Sequence, residues 1–435
     1  MWTAAVLSVA GWAQSMPLTV PAGTPIQVAT EHRVRIRKIG EPVTARVVQP
    51  VFAFDREVIP AGSILLGHVA RLDRAARGKR IQTIMAGDFT PQLNPEIEFE
   101  TLQLPDGTTR AIKTVPAAGR GRVVHYAAKK RVPAHSSLAR VAYENMQTGI
   151  ASARLQISTA LKTPGKWHLL EEQGYAYLPY HPRYLPAKTS LAAPLAQPLS
   201  FGTAPAGPVD SGDIGTALAE RVVAARLTST ISSSFSAGSK VRAITSEPIF
   251  SPDHRLLLPE GAELLGTVVR SQPARWLRRG GQLRFTFQEL DVPPAEDMGG
   301  IGQKRVYAML SGIDAACSTE ISIDTEGGIR AIESNTRFIA PIIKLFIGEQ
   351  AIDQERNQGG GGQSQAANRS WRALAGASGF GVIGSVASQF SAEAASGLSF
   401  YGLAWSVYRH VVARGHNVVF TPDTPIQVRF EEVHN

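Results

Sequence analysis

Very few residues in this chain have the types and spacing that chemistry requires. GFGVIG at 379–384 matches G-x-G-x-x-G, the loop that lets a backbone approach a dinucleotide pyrophosphate. That fingerprint needs a strand before it, a helix opening at it and an acidic residue further on. Here the preceding ALAGAS is helix-like, and no acidic residue sits at that distance. Gly376, Gly379 and Gly384 therefore read as helix–helix packing positions, where small residues let two backbones come close. The 10 histidines are scattered without metal-ligand spacing, and the single cysteine, Cys317, permits no intramolecular disulfide. Glu171 and Glu172 in HLLEEQ are adjacent, which does not place two carboxylates across a substrate. No G-x-S-x-G, H-E-x-x-H or Walker pattern occurs. The sequence therefore carries no catalytic, cofactor or metal residues, and the expectation is a protein that is not an enzyme. The alternative is an envelope hydrolase or carbohydrate-acting enzyme using YLPYHPRYLP (177–186), dense in aromatics and proline. As a structural stretch, that run is a rigid connector.

Charge points to a class of partner. The formal net charge is +9, with basic clusters at 71–80, 119–131 and RWLRR (275–279). Such clusters read as solvated loop tips, or as contact with an anionic envelope polymer or lipid surface; nucleic acid is a weaker expectation. At the N-terminus, Trp2–Trp12 has the length of a signal h-region, and Ala13 follows as a small residue at a plausible cleavage point. The expectation is export to the periplasm or outer membrane.

The elements that must carry these residues show themselves through repetition. VTARVVQPVFAFDREVIPAGSILLGHV (43–69) matches VRAITSEPIFSPDHRLLLPEGAELLGTV (241–268) after a one-residue gap. Pro60, Gly62 and Gly67 align with Pro259, Gly261 and Gly266. The pattern reads as strand, turn, strand, Pro–Gly bend, strand, with the last glycine at a bulge or barrel corner. EIEFETLQL (96–104) and LRFTFQEL (283–290) extend the match with period-two alternation, Phe99 beside Phe287 and Leu102 beside Leu290. The fold class is mainly β: two related β-barrel-like or sandwich units, a helical connector, and a C-terminal helical pair before a last strand.

The expected division is a signal segment at 1–13, a first β unit at 14–120, and a connector at 121–184 with a helix from Ser137 to Leu161. A second β unit follows at 185–350, opened by LPAKTSLAAPL as an entry strand like VPAGTPIQVA (20–29). Then come a Gly-rich linker at 351–370, small-residue helices at 371–390 and 397–415, and a closing strand at 416–435. TPIQV occurs at both 24–28 and 424–428, so the closing strand is expected to pair within the β structure, plausibly beside Val20–Val28. The helical pair fits a hairpin in or near the outer membrane, or a pair docked over a barrel end; the second is favoured because Gly-rich helices gain stability by docking.

The block VIPAGSILLG (58–67), echoed by LPEGAELLG (258–266), resembles the TrbI-like family of bacterial conjugation and type IV secretion scaffolds. Pro60, Gly62, Ser63 and Gly67 match its signature, with a P-D-G turn at Pro105, Asp106 and Gly107; the second copy has Ala262 for the serine. The resemblance implies a periplasmic β-barrel, a helical pair inserted late in it, and a structural or assembly role among envelope proteins or by self-association. The duplication departs from that family's usual single barrel.

Overall fold

The computed structural model describes residues 15–74, 77–85, 89–90, 93–129, 184–205, 217–292, 303–316, 320–332, 380 and 383–431. Twelve strands form two barrel-like units of one design, the second a closed six-stranded barrel and the first a half-barrel sheet whose ends meet at a bridge. The first uses β1 (Pro25–Thr30), β2 (Pro42–Val47), β3 (Ile64–Arg74), β4 (Leu93–Gln103), β5 (Thr109–Ala111) and β6 (Ser190–Pro194). The second uses β7 (Val222–Leu227), β8 (Lys240–Thr245), β9 (Glu263–Gln272), β10 (Gln282–Asp291), β11 (Lys304–Ala316) and β12 (Pro425–Glu431).

Both barrels run in the same antiparallel ring order, and their registers coincide pair by pair. Ala45 faces Leu65, which faces Leu102; in the second ring Ala243 faces Leu264, which faces Leu290. Leu191 faces Val28 and Val28 faces Val47, as Ile426 faces Ala225 and Ala225 faces Thr245. The repeat read from residues 43–69 and 241–268 is therefore one strand arrangement built twice.

The turn glycines act as expected. Gly62 and Gly261 have φ of +91° and +90°, the left-handed region that a Cβ disfavours, at the third position of the Pro60 and Pro259 turns. Gly67 and Gly266 sit at bulges, where an added Cβ would lie 2.1 Å from the carbonyl oxygens of Glu98 and Thr286. In both barrels that glycine lies across from a fully buried phenylalanine, Phe99 or Phe287. Alternation does the rest. Val43, Ala45 and Val47 of β2, and Val241, Ala243 and Thr245 of β8, point into their cores while the residues between them face outward. Phe285 and Phe287 pack edge to face, 5.7 Å apart, in the second core.

Two expectations are corrected. The segment at 185–199 does not open the second unit. Ser190–Pro194 is β6 and pairs with β1, so the boundary expected at 185 falls after 205. The closing strand β12 does not lie beside Val20–Val28 either; it pairs with β7 and β11. The reason is positional. In each barrel the chain leaves after the fifth strand and returns for the sixth, and the Pro186–Thr189 turn that launches β6 is the counterpart of Thr421–Thr424 before β12. Thr189 and Thr424 each donate a hydroxyl to the first carbonyl of their turn, at 2.7 Å. TPIQV at 24–28 opens a first strand; at 424–428 it opens a last one.

The first excursion carries a strand, Val123–Ala127, within the stretch read as a helical connector. It pairs with Gly312–Ala316 of β11, so the first unit adds a strand to the second barrel. The signal segment, the Ser137–Leu161 helix and the Gly-rich linker lie outside the described residues.

Candidate functional site

Two regions stand apart from the barrel cores: the helical pair inserted before β12, and the junction where the barrels meet. Residues 383–390 form helix α1, Ser391 interrupts it, and α2 (Ala392–Val407) continues into a π turn at Tyr408–Val412. Ser391 caps α2 by accepting from the Ala394 N–H at 3.2 Å, and Glu393 lies in the first turn, where a helix favours negative charge. The pair is thus present, but its second helix begins at Ala392 rather than at 397, because the serine caps there and Glu393 belongs to the helix, not to a turn.

The pair is inside out. Its buried positions are small: Gly384, Ser388, Ala395, Ser399 and Ser406. Beside the polar Gln389 and Glu393, its exposed positions include large apolar side chains, Val386, Phe390, Phe400, Tyr408 and Val412, with Phe390 at 85% exposure. Water-soluble helices place these classes the other way round. Ser388 satisfies its hydroxyl by donating to the Gly384 carbonyl at 2.7 Å. Gly384 is buried; Gly376 and Gly379 lie outside the described residues. The Phe380 ring lies 6.1 Å from Tyr401 of α2 and 6.4 Å from Phe89 of the first unit. The exit of the pair is bound to the β9–β10 connection through Leu277 N–H to Val412 O (3.2 Å), Arg278 N–H to Ala413 O (2.9 Å) and Gly281 N–H to His416 O (2.9 Å). No described helix is long and apolar enough to cross a membrane.

The junction is polar. Arg120, leaving the first barrel, donates to the carbonyls of Pro422 and Asp423 in the turn before β12, and Gln27 Nε2 donates to Asp423 O at 2.9 Å. The Asp423 carboxylate meets Arg226 at 3.5 Å. Burial pushes the Glu260 carboxyl up to about 7, with Arg226 opposing the shift; burial also raises Asp423, against the pull of Arg226 and Arg120. Desolvation thus outweighs ion pairing at both acids. Beside this cluster a cleft of about 830 Å³ opens between the barrels, lined by Val48, Ala118, Ala192, Phe420, Lys188 and His125. His125 Nδ1 lies 2.7 Å from Asp314 Oδ1 across the added strand, an arrangement that orients an imidazole. No hydrogen bond joins His125 to a hydroxyl among the described residues.

Of the 177–186 stretch, only Tyr184, Leu185 and Pro186 are described. Tyr184 pairs with Arg35, and the Arg33 guanidinium stacks 3.5 Å from its ring centroid. Cys317, Glu171 and Glu172 lie outside the described residues. No group of three or more metal-ligating side chains occurs among those described. Sequence reading missed Arg120, Glu260 and Asp423. A faint signal existed for Glu260, a charged residue inside a repeated turn where its counterpart is Ala61.

No family model matches the chain, and no curated protein matches it. Among solved structures, the chain is similar to ComB10 of the Com type IV secretion system of Helicobacter pylori. That similarity has 12% identity and a TM-score of 0.21, and covers 42% of this chain and 90% of that one. A likeness at that score carries no weight for function.

Proposed function

We propose that the chain is a non-enzymatic, exported scaffold of the cell envelope, a component of a secretion-like assembly, and that the helical pair is where it joins that assembly. The inside-out pair carries this reading. Burying a large apolar side chain is worth about 1.5–3 kcal/mol, and the pair leaves Val386, Phe390 and Phe400 in water while burying serines. Such a surface is stabilised by an apolar partner, either another envelope protein, a second copy, or the boundary of a membrane. The two barrels suit a structural role because their interiors are filled by side chains. The TrbI-like turn signature, on Pro60, Gly62, Ser63 and Gly67, points the same way.

The test is fractionation and cross-linking of the full chain beside its Phe390→Ser/Phe400→Ser variant. Native protein is expected in the envelope fraction and in cross-linked species larger than one chain. The variant is expected to move toward the soluble fraction as single chains with an unchanged melting temperature. Native protein recovered from the cytosol as single chains would overturn the proposal.

A further inference from the structure

At the foot of the helical pair, cations from four separate strands or strand ends come together. Arg270 of β9 lies directly opposite Arg284 of β10, and Arg330 on the adjoining strand Gly328–Ala331 lies opposite Gln282. Lys129 arrives from the first unit, its N–H bonded to Ile323 O at 3.0 Å. Like charges placed directly across a ladder destabilise it unless something neutralises them. Only Arg284 is neutralised here, by Glu326 at 2.8 Å. Asp324 spends one oxygen on the backbone N–H groups of Glu326 and Gly328. Arg270, Arg330 and Lys129 have no acidic partner among the described residues. The four cations line a shallow groove of about 580 Å³.

The groove adjoins the connection that grips the helical pair. Residues 275–279 add the exposed Arg275 and Arg279, together with Trp276 at 60% and Leu277 at 54% exposure. Arg414 projects from the exit of the pair. One end of the second barrel thus presents, in order, large apolar side chains, an exposed tryptophan, and a belt of arginines. This is the polarity sequence of a lipid interface: acyl region, headgroup boundary, phosphate layer.

We propose that this basic collar seats the phosphate groups of an anionic lipid surface. The assignment rests on the reading of the helical pair as the chain's apolar attachment, and it adds the chemistry of what lies beside that attachment.

Flotation of the full chain separates the two. The vesicles are phosphatidylcholine alone, or phosphatidylcholine with roughly one-third phosphatidylglycerol, across a salt series. Native protein is expected to prefer the anionic vesicles, with the preference declining as salt rises. Arg270→Ala/Arg330→Ala, at exposed positions and with native melting behaviour, is expected to keep native binding to neutral vesicles. It should lose roughly twenty-fivefold of its partitioning onto anionic ones, about fivefold per cation. Phe390→Ser/Phe400→Ser should weaken binding to both. Equal native binding to neutral and anionic vesicles, or an arginine variant that floats as the native chain does, overturns the collar and leaves the pair reading standing. Native protein that floats with neither vesicle, or that binds a DNA duplex instead, overturns the collar; failure to float also removes membrane attachment by the pair.

Discussion

The two barrels share a ring of strand pairs but not a seam. In the second, β11 and β12 close the ring through six residue pairs, from Tyr307 opposite Glu431 to Ile313 opposite Ile426. In the first, no strand ladder closes the ring: one bridge joins Thr114 and Leu195, flanked by Val115 N–H to Pro194 O and Ala196 N–H to Lys113 O, and Ser190 bonds Arg120 and Gly121 further along, each bond 2.8 Å. The positions correspond: Thr114 and Leu195 stand where Ala308 and Phe430 stand. Proline explains the difference. Pro116 and Pro194 fall at the first seam and have no N–H to give to a ladder, whereas β11 runs for 13 residues without one. One ring can thus be closed firmly or barely with the same registers. The firmly closed barrel is the one that carries the helical pair on its excursion.

A charge at equivalent positions on the sixth strand is the strongest way to test that contrast. Leu191 and Ile426 are both buried, at 0% and 2% exposure. Asp at either site should cost on the order of 4 kcal/mol or more. Leu191→Asp is expected to open the first barrel as a unit, while Ile426→Asp lowers the stability of the second without opening its seam. Hydrogen exchange read by mass spectrometry separates the two, and equal loss of protection in both barrels would remove the distinction.

A smaller effect sharpens the likeness. In the first barrel Ser63 Oγ donates to Pro60 O at 2.7 Å, and Val47 stands across from it. In the second, Ala262 replaces the serine, and the hydroxyl comes from the other side: Thr245 Oγ1 donates to Pro259 O and accepts from Ala262 N–H, both at 3.0 Å. One buried hydroxyl serves each turn from whichever strand provides it. Ser63→Ala and Thr245→Val should each cost about 1–2 kcal/mol in denaturant titrations. Ser63→Ala combined with Val47→Thr should recover most of the first loss, and a double variant no better than the single would show that the turns are not equivalent.

The smallest expected effect lies between the barrels. Glu260 is raised above its ordinary value to about 7, and Asp423 is raised in the same direction. The joined state therefore binds protons more tightly than the separated one. The stabilisation is complete below the ordinary carboxylate range near 4.5 and is lost as pH rises through about 7. Partial exposure limits the swing to about 1 kcal/mol. Melting temperature should fall as pH goes from 5 to 8, and Glu260→Gln should flatten the change; a native profile that rises over that range would contradict the assignment.

Much of this was legible in the residues. The P-x-G turns, the bulge glycines, and the Phe99/Phe287 and Leu102/Leu290 pairs occupy the equivalent places that the repeat demanded, because turn chemistry and alternation are local properties. The small-residue helical pair was legible as well, but its capping at Ser391 moved the second helix earlier. The error over 185–199 has a physical cause. A strand-launching turn looks the same whether the strand opens a sheet or closes one, and the two copies of TPIQV are alike for that reason. Arg120 and Asp423 gain their place from a contact between residues some 300 positions apart, which no local pattern announces.

By itself the sequence determined that there are two copies of one β design, where each bends, and which residues face inward. Periodicity and backbone preference act within a few residues, so they are written in order along the chain. Only the tertiary structure decided which strand completes which ring, where the barrels touch, and that the helical pair turns its serines inward and its phenylalanines out. Those outcomes depend on which surfaces meet across long stretches of chain, and pairing across such distances is set by the whole set of packed contacts rather than by any segment's own preference.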